Sequence, residues 1–350
     1  MRIAFTCGYT PLPLLDAAGA EPYRILPLTA APERAGRVLH DNLCPHVKRV
    51  LDRVLGDDLP PLDGAVLVHS CDAMRRLADA WRHARPGDRV ALVDLPVAPD
   101  EPAVRWYASE LGRLRAILAD WSGAPVPDDR VDAALDRWNR LVERTDAVRE
   151  RLRRGTLPGG AAAAQRVWNE TVARPIATSV AALEALLAAP EPEPAPAADG
   201  VPALLFGNVL PDPEVFALLA RSGVRVVADD LCTGSRPFHR VERAPGDDPL
   251  LALARATLTR PGCARTVSRE TPGDLGARVV RAAAACGARA VVGHVAKFCD
   301  PYLARLPGVR AACRAADLPL LVLEGDCTLR SVGQQATRLE AFVEMVGGAR

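Results

Sequence analysis

Seven short runs, apolar at successive positions, recur along this chain and stop abruptly at polar, glycine or proline residues: 2–6, 65–68, 90–93, 203–206, 224–228, 290–292 and 320–323. A strand with one wet face alternates in polarity, whereas a strand covered on both faces does not. The runs therefore predict buried parallel strands. Helical periodicity lies between many of them, over 43–55, 103–119, 214–221 and 276–286. Strand alternating with helix predicts an α/β fold of doubly wound, Rossmann-like parallel sheets.

The middle of the chain differs. Residues 128–154 and 161–187 are helical by period and rich in Ala, Leu, Arg and Glu, with no strand-like run between them. The stretch from Pro190 to Gly200 carries four prolines and predicts an extended, semi-rigid linker. The expected organisation is an N-terminal α/β domain over 1–126, a helical segment over 127–190, a Pro-rich linker over 191–200 and a C-terminal α/β domain over 201–350.

Charge and composition exclude several function classes. Lys plus Arg is 44 against 43 for Asp plus Glu, and aromatic residues are 4% of the chain. Neither the basic excess that tracks a phosphate backbone nor the aromatic content of a base-stacking surface is present, so no nucleic-acid partner is expected. The first residues lack a basic then apolar leader pattern, and no run approaches the ~20 apolar residues of a membrane span. A cytoplasmic protein without a membrane partner is expected. Nine cysteines, an odd number with no CxxC, do not form a disulfide framework or zinc ribbon.

In an open parallel sheet, ligands bind beyond the carboxyl ends of the strands. Five of the nine cysteines fall just after predicted strands: Cys7, Cys71, Cys232, Cys299 and Cys327. Cys44 stands in Asn42-Leu-Cys-Pro45, which predicts a helix start capped by Asn42, where free N–H groups favour a thiolate. Cys263, in a loop, and Cys286 and Cys313, on helical patterns, are read as structural. The chain holds two lysines: Lys48, one helical turn after Cys44, and Lys297, two residues before Cys299. Acid–base candidates at strand ends are His69, His294 and the pair Asp229 and Asp230. Neither a P-loop nor a GxGxxG fingerprint is present, so nucleotide hydrolysis must be met by another chain.

Six blocks in order resemble the 2-hydroxyacyl-CoA dehydratase component D family, which includes subunits of benzoyl-CoA reductase. They are Asp41-Asn-Leu-Cys-Pro, Leu67-Val-His-Ser-Cys-Asp-Ala-Met-Arg-Arg76, Asp94-Leu-Pro, Val227-Ala-Asp-Asp-Leu-Cys-Thr-Gly-Ser-Arg236, Lys297-Phe-Cys-Asp-Pro-Tyr302 and Gly333-Gln-Gln-Ala-Thr-Arg-Leu-Glu-Ala-Phe342. Where the family often carries acidic residues after Gly8-Tyr-Thr-Pro, this chain has Leu12-Pro-Leu-Leu15.

The resemblance implies a [4Fe-4S] cluster held by Cys44, Cys71 and Cys299, with one iron lacking a cysteine ligand; Lys48 and Lys297, by their positions beside these cysteines, are candidates to sit around it, and Cys232 is either a further such candidate or a core residue of its turn. It also implies a hydro-lyase working as the shorter subunit of a heterodimer with a homologous second subunit, on an acyl-CoA thioester. An ATP-dependent iron–sulfur activator supplies one low-potential electron; the resulting ketyl radical anion expels the hydroxyl, and the electron is recovered after deprotonation. The alternatives are a benzoyl-CoA reductase-like or double-cubane ATP-dependent reductase, and a non-catalytic scaffold subunit.

Overall fold

The computed structural model describes residues 1–28, 34–56, 58–193, 200–266, 274–327 and 332–348. In chain order the first half runs β1 (Arg2–Phe5), α1 (Leu12–Ala17), β2 (Glu21–Arg24), α2 (Pro45–Leu55), β3 (Gly64–His69), α3 (Asp72–Ala84), β4 (Val90–Asp94) and α4 (Glu101–Ser122). Three helices follow without a strand between them: α5 (Asp128–Arg154), α6 (Gly160–Thr171) and α7 (Ile176–Ala188). The second half runs β5 (Val201–Gly207), α8 (Pro213–Arg221), β6 (Val224–Asp230), α9 (Pro249–Thr259), α10 (Asp274–Cys286), β7 (Ala290–Ala296), α11 (Asp300–Ala315), β8 (Leu320–Gly325) and α12 (Val332–Gly348).

The expected α/β architecture is present as two four-stranded sheets, ordered β2-β1-β3-β4 and β6-β5-β7-β8, and every pairing is parallel. In each sheet the chain steps from the first strand to one neighbour and then crosses to the other side. The reversal opens a crevice beyond the carboxyl ends, between β1 and β3 in one sheet and between β5 and β7 in the other.

All seven apolar runs are strands. The eighth strand, β2, is the edge segment Glu21-Pro-Tyr-Arg24; its proline removes a ladder donor, which an edge tolerates, and its charged ends hide it from a hydropathy pattern. The helical stretch 161–187 divides into α6 and α7, because Pro175, the residue before α7, cannot supply the N–H that an uninterrupted helix needs. Of the expected linker, residues 194–199 lie outside the described residues.

Leu12, Leu14 and Leu15 are buried in α1 against α5, which explains apolar residues at positions where acidic ones are expected. That same core extends from β1 through α4 and α5 to Phe238, Val241 and α9, so part of the second half packs on the first.

Candidate functional site

The two crevices face one another across a single cavity with about 90 Å³ of water-accessible space. Six thiols line it. Cys7, Cys44 and Cys71 come from the first half, and Cys232, Cys263 and Cys299 from the second.

Three of these thiols share one local geometry. Cys44, Cys71 and Cys299 are the residues immediately preceding α2, α3 and α11, in the N-cap position of each helix. For α2 this corrects the expected cap: Pro45 takes the first helical turn, so the cap falls on Cys44 rather than Asn42. The first backbone N–H groups of a helix have no intrahelical partner. None of the three sulfurs meets full cap hydrogen-bond geometry. Even so, the N–H groups of Val47, Met74 and Tyr302 each favour the nearby thiolate.

Burial outweighs that help. It raises the Cys44 and Cys71 thiols and pushes Cys299 up to about 11, and the charges of Cys44 and Cys299 raise Cys71 further. As free thiols they stay protonated near neutrality, and they become thiolates when a positive occupant replaces the lost solvation. Among the described residues no three His, Cys, Asp or Glu side chains converge closely enough to hold a single metal ion. Thiols spaced around one cavity fit a polynuclear iron–sulfur group, which takes one thiolate per iron and spreads its ligands apart.

The other three thiols sit in loops and are placed by distant side chains. Cys7 Sγ donates to Ser70 Oγ at 3.3 Å. Cys232 accepts from Arg236 Nη1 on Sγ at 3.1 Å, and Arg24 Nη2 donates to its carbonyl at 2.8 Å. Burial still lifts Cys232 to about 12, against the lowering charges of Arg236 and Arg24. Cys263 N–H donates to Tyr9 Oη at 3.1 Å, and Tyr9 Oη is itself 2.6 Å from Thr266 Oγ1. The charges of Cys7 and Cys263 both raise Cys232. Asn208 joins the two sets: its carbonyl accepts from Cys232 N–H at 2.9 Å, and its side chain hydrogen-bonds Cys299.

The acid–base candidates are brought elsewhere. Asp230 accepts from Arg236 Nε at 2.6 Å, while Asp229 accepts from the N–H groups of Ser235 and Leu231 at 2.7 and 3.3 Å. A Cβ on Gly234 would collide with Asp229 Oδ1, so that turn requires glycine. His69 Nδ1 pairs with Asp94 Oδ1 at 2.7 Å, and His294 Nε2 with the Asp326 carbonyl at 2.9 Å. The described lining of the cavity includes none of these four. Lys48 Nζ donates to the Asp41 carbonyl at 2.5 Å, and its charge lowers the Cys44 thiol. Lys297 is exposed and off the cavity. Arg76 pairs with Asp72 and Asp79 on an exposed helix face.

Sequence reasoning missed Tyr9, His46, Asn208 and Arg24, and it read Cys263 as structural. Arg24 belongs to the unpredicted edge strand, and Cys263 reaches Tyr9 across 254 positions, a separation no local pattern encodes. His46 lines the cavity as a neutral ring, its pKa pushed down to about 3 by burial and then by Arg24.

Known proteins share nearly the whole length of this chain. The family model described as 2-hydroxyglutaryl-CoA dehydratase, D-component, matches residues 7–346. A benzoyl-CoA reductase subunit of Thauera aromatica is 24% identical over 331 residues, covering 91% of this chain and 84% of its own. The beta subunit of lactoyl-CoA dehydratase from Anaerotignum propionicum is 24% identical over 344 residues, covering 97% and 90%. The beta subunit of (R)-2-hydroxyglutaryl-CoA dehydratase from Acidaminococcus fermentans is 23% identical over 359 residues, covering 96% and 90%.

Proposed function

We propose that this chain, which belongs to the 2-hydroxyglutaryl-CoA dehydratase D-component family, is the iron–sulfur subunit of a 2-hydroxyacyl-CoA dehydratase-type hydro-lyase. Its partner is a homologous second subunit, in keeping with relatives that are themselves named as subunits of larger enzymes. One observation carries the reading: Cys44, Cys71 and Cys299, each the N-cap of a different helix, line one cavity where two strand-order reversals face each other.

In this reading those three cysteines hold a [4Fe-4S] cluster, which when bound supplies one-electron chemistry and an iron free of cysteine for a thioester oxygen. The chain's own residues do the rest. Three helix N-termini offset the negative charge of the thiolates. Lys48 adds a positive charge behind Cys44. Arg49 Nη2 to Asp326 Oδ2 at 2.8 Å and Arg260 Nη2 to the Gly8 carbonyl at 2.8 Å join the facing lobes around the cavity. ATP hydrolysis falls to a separate iron–sulfur activator, and the substrate is an acyl-CoA thioester.

A second reading has its own support. Cys7, Cys232 and Cys263 offer a second set of three thiols to the same cavity, which suits a double-cubane ATP-dependent reductase. The test is iron and acid-labile sulfide per chain, with an electron paramagnetic resonance spectrum of the dithionite-reduced protein, after anaerobic purification. About four irons per chain fit the dehydratase reading and about eight the double-cubane reductase. A chain that takes up no iron on reconstitution is a scaffold.

A further inference from the structure

Most polar groups facing the cavity are already satisfied within the protein. Tyr302 Oη donates to the Gly207 carbonyl at 2.6 Å, Arg236 holds Asp230 and Cys232, and Asn208 Oδ1 accepts from Ala296 N–H at 3.2 Å. Arg260 leaves Nε unpaired, but its Nη atoms reach Gly8, Pro237 and His239. His46 is different. The residue lines the cavity, is 8% exposed, and its buried Nδ1 meets no hydrogen-bond partner among the described residues. A buried nitrogen left unpaired costs free energy, and native structures rarely keep one without a purpose.

The helix start fixes where this ring stands. Cys44 is the N-cap, Pro45 the first helical residue and His46 the second, so the imidazole rises from the same turn that presents the Cys44 thiol. Arg24 lies beside it, also buried and with an unpaired Nε. In the Nδ1–H tautomer, the unpaired His46 nitrogen offers a donor, beside thiols that need a positive occupant, to an electron-rich group in the cavity.

We propose that His46 is a positioning residue that donates a ring N–H hydrogen bond to a sulfur of the cavity's iron–sulfur group and thereby sets its reduction potential. The inference rests on the iron–sulfur reading of the cavity, and deepens it. An N–H aimed at sulfur favours the reduced form, which carries one more negative charge, so it raises the potential.

The test uses the anaerobically prepared holo-protein in three forms: wild type, His46→Phe and His46→Asn, the last replacing Nδ1 with an amide nitrogen at a similar place. Iron per chain is measured first, then a redox titration followed by electron paramagnetic resonance. The expected result is unchanged iron in His46→Phe with a reduced-to-oxidised ratio about tenfold lower at fixed potential, which is about 59 mV for one electron, and substantial recovery in His46→Asn. Unchanged iron with an unchanged midpoint in His46→Phe overturns the proposal. Should His46→Phe fail to fold, wild type labelled with 15N-histidine decides: hyperfine coupling from a ring nitrogen to the reduced cluster supports the bond, and its absence overturns it. A wild-type chain that binds no iron overturns the iron–sulfur reading itself, and this inference with it.

Discussion

Two sets of thiols reach the same cavity by different means. Cys44, Cys71 and Cys299 arrive as helix N-caps, placed by backbone that is local in sequence and assisted by free N–H groups. Cys7, Cys232 and Cys263 arrive on loops, placed by Ser70, Arg236, Arg24 and Tyr9 from other parts of the chain. The difference teaches that one residue type in one cavity can rest on two kinds of support. A helix cap survives the loss of any one side chain, whereas a loop thiol depends on the residue that holds it.

The largest effect that would sharpen this contrast is at Arg236. Its side chain is 3% exposed, and it pairs with Asp230 while donating to Cys232 and to the Gly207 carbonyl. Arg236→Met leaves a mostly buried carboxylate with only the more distant Arg278, 3.9 Å away, as a charge partner, and removing the close partner of such a pair costs up to about 3–5 kcal/mol. Urea unfolding of the apo-protein is expected to show that loss. A stability within about 0.5 kcal/mol of wild type would mean that the loop set does not hang on this residue.

A smaller effect should appear on acidification. His294, at the end of β7 beneath the loop after β8, titrates at about 4 in the folded chain against an ordinary 6.5, because burial disfavours its charged form. The folded state binds that proton less readily than the unfolded one. The stability is therefore complete above about pH 6.5 and is lost as the pH falls towards 4, by about 1.4 kcal/mol for each tenfold difference in proton affinity. Urea midpoints measured across this window should fall in wild type, with a shallower fall in His294→Asn. Equal slopes would show that other groups carry the acid sensitivity.

The smallest effect is expected at Lys48, whose charge acts on one helix-cap thiol and not on the loop set. Lys48→Met should slow alkylation of Cys44 in the apo-protein by about threefold or less, the scale of a single partly screened charge, and leave Cys232 unaffected. Equal slowing at both cysteines would point to a general change in cavity access rather than to local charge.

The same contrast explains what was legible in the sequence. Apolar runs covered on both faces marked seven strands, since a buried parallel strand writes its environment into consecutive residues. The edge strand β2, with Pro22 and charged ends, writes no such signal. Cys71 and Cys299 stood out as residues just after predicted strands and Cys44 as a helix start, and the family resemblance joined the three; that each caps a helix is seen in the fold. Cys263 did not stand out, since it is brought to the cavity by Tyr9 from the opposite end of the chain. Asp229 and Asp230 looked like an acid–base pair at a strand end; three-dimensional contacts give them to Ser235, Leu231 and Arg236 instead. Charge and position alone do not separate a carboxylate that meets substrate from one that holds a turn.

The central claim is that Cys44, Cys71 and Cys299 hold an iron–sulfur cluster between the lobes. Its most direct test is iron and acid-labile sulfide per chain, measured side by side on the anaerobic wild-type protein and on the Cys44→Ser, Cys71→Ser, Cys299→Ser chain, with circular dichroism to confirm that both are folded. The expected result is about four of each per wild-type chain for one cluster, with that complement of about four missing from the folded variant. Equal iron in the two proteins, or none in the wild type after reconstitution, would contradict it.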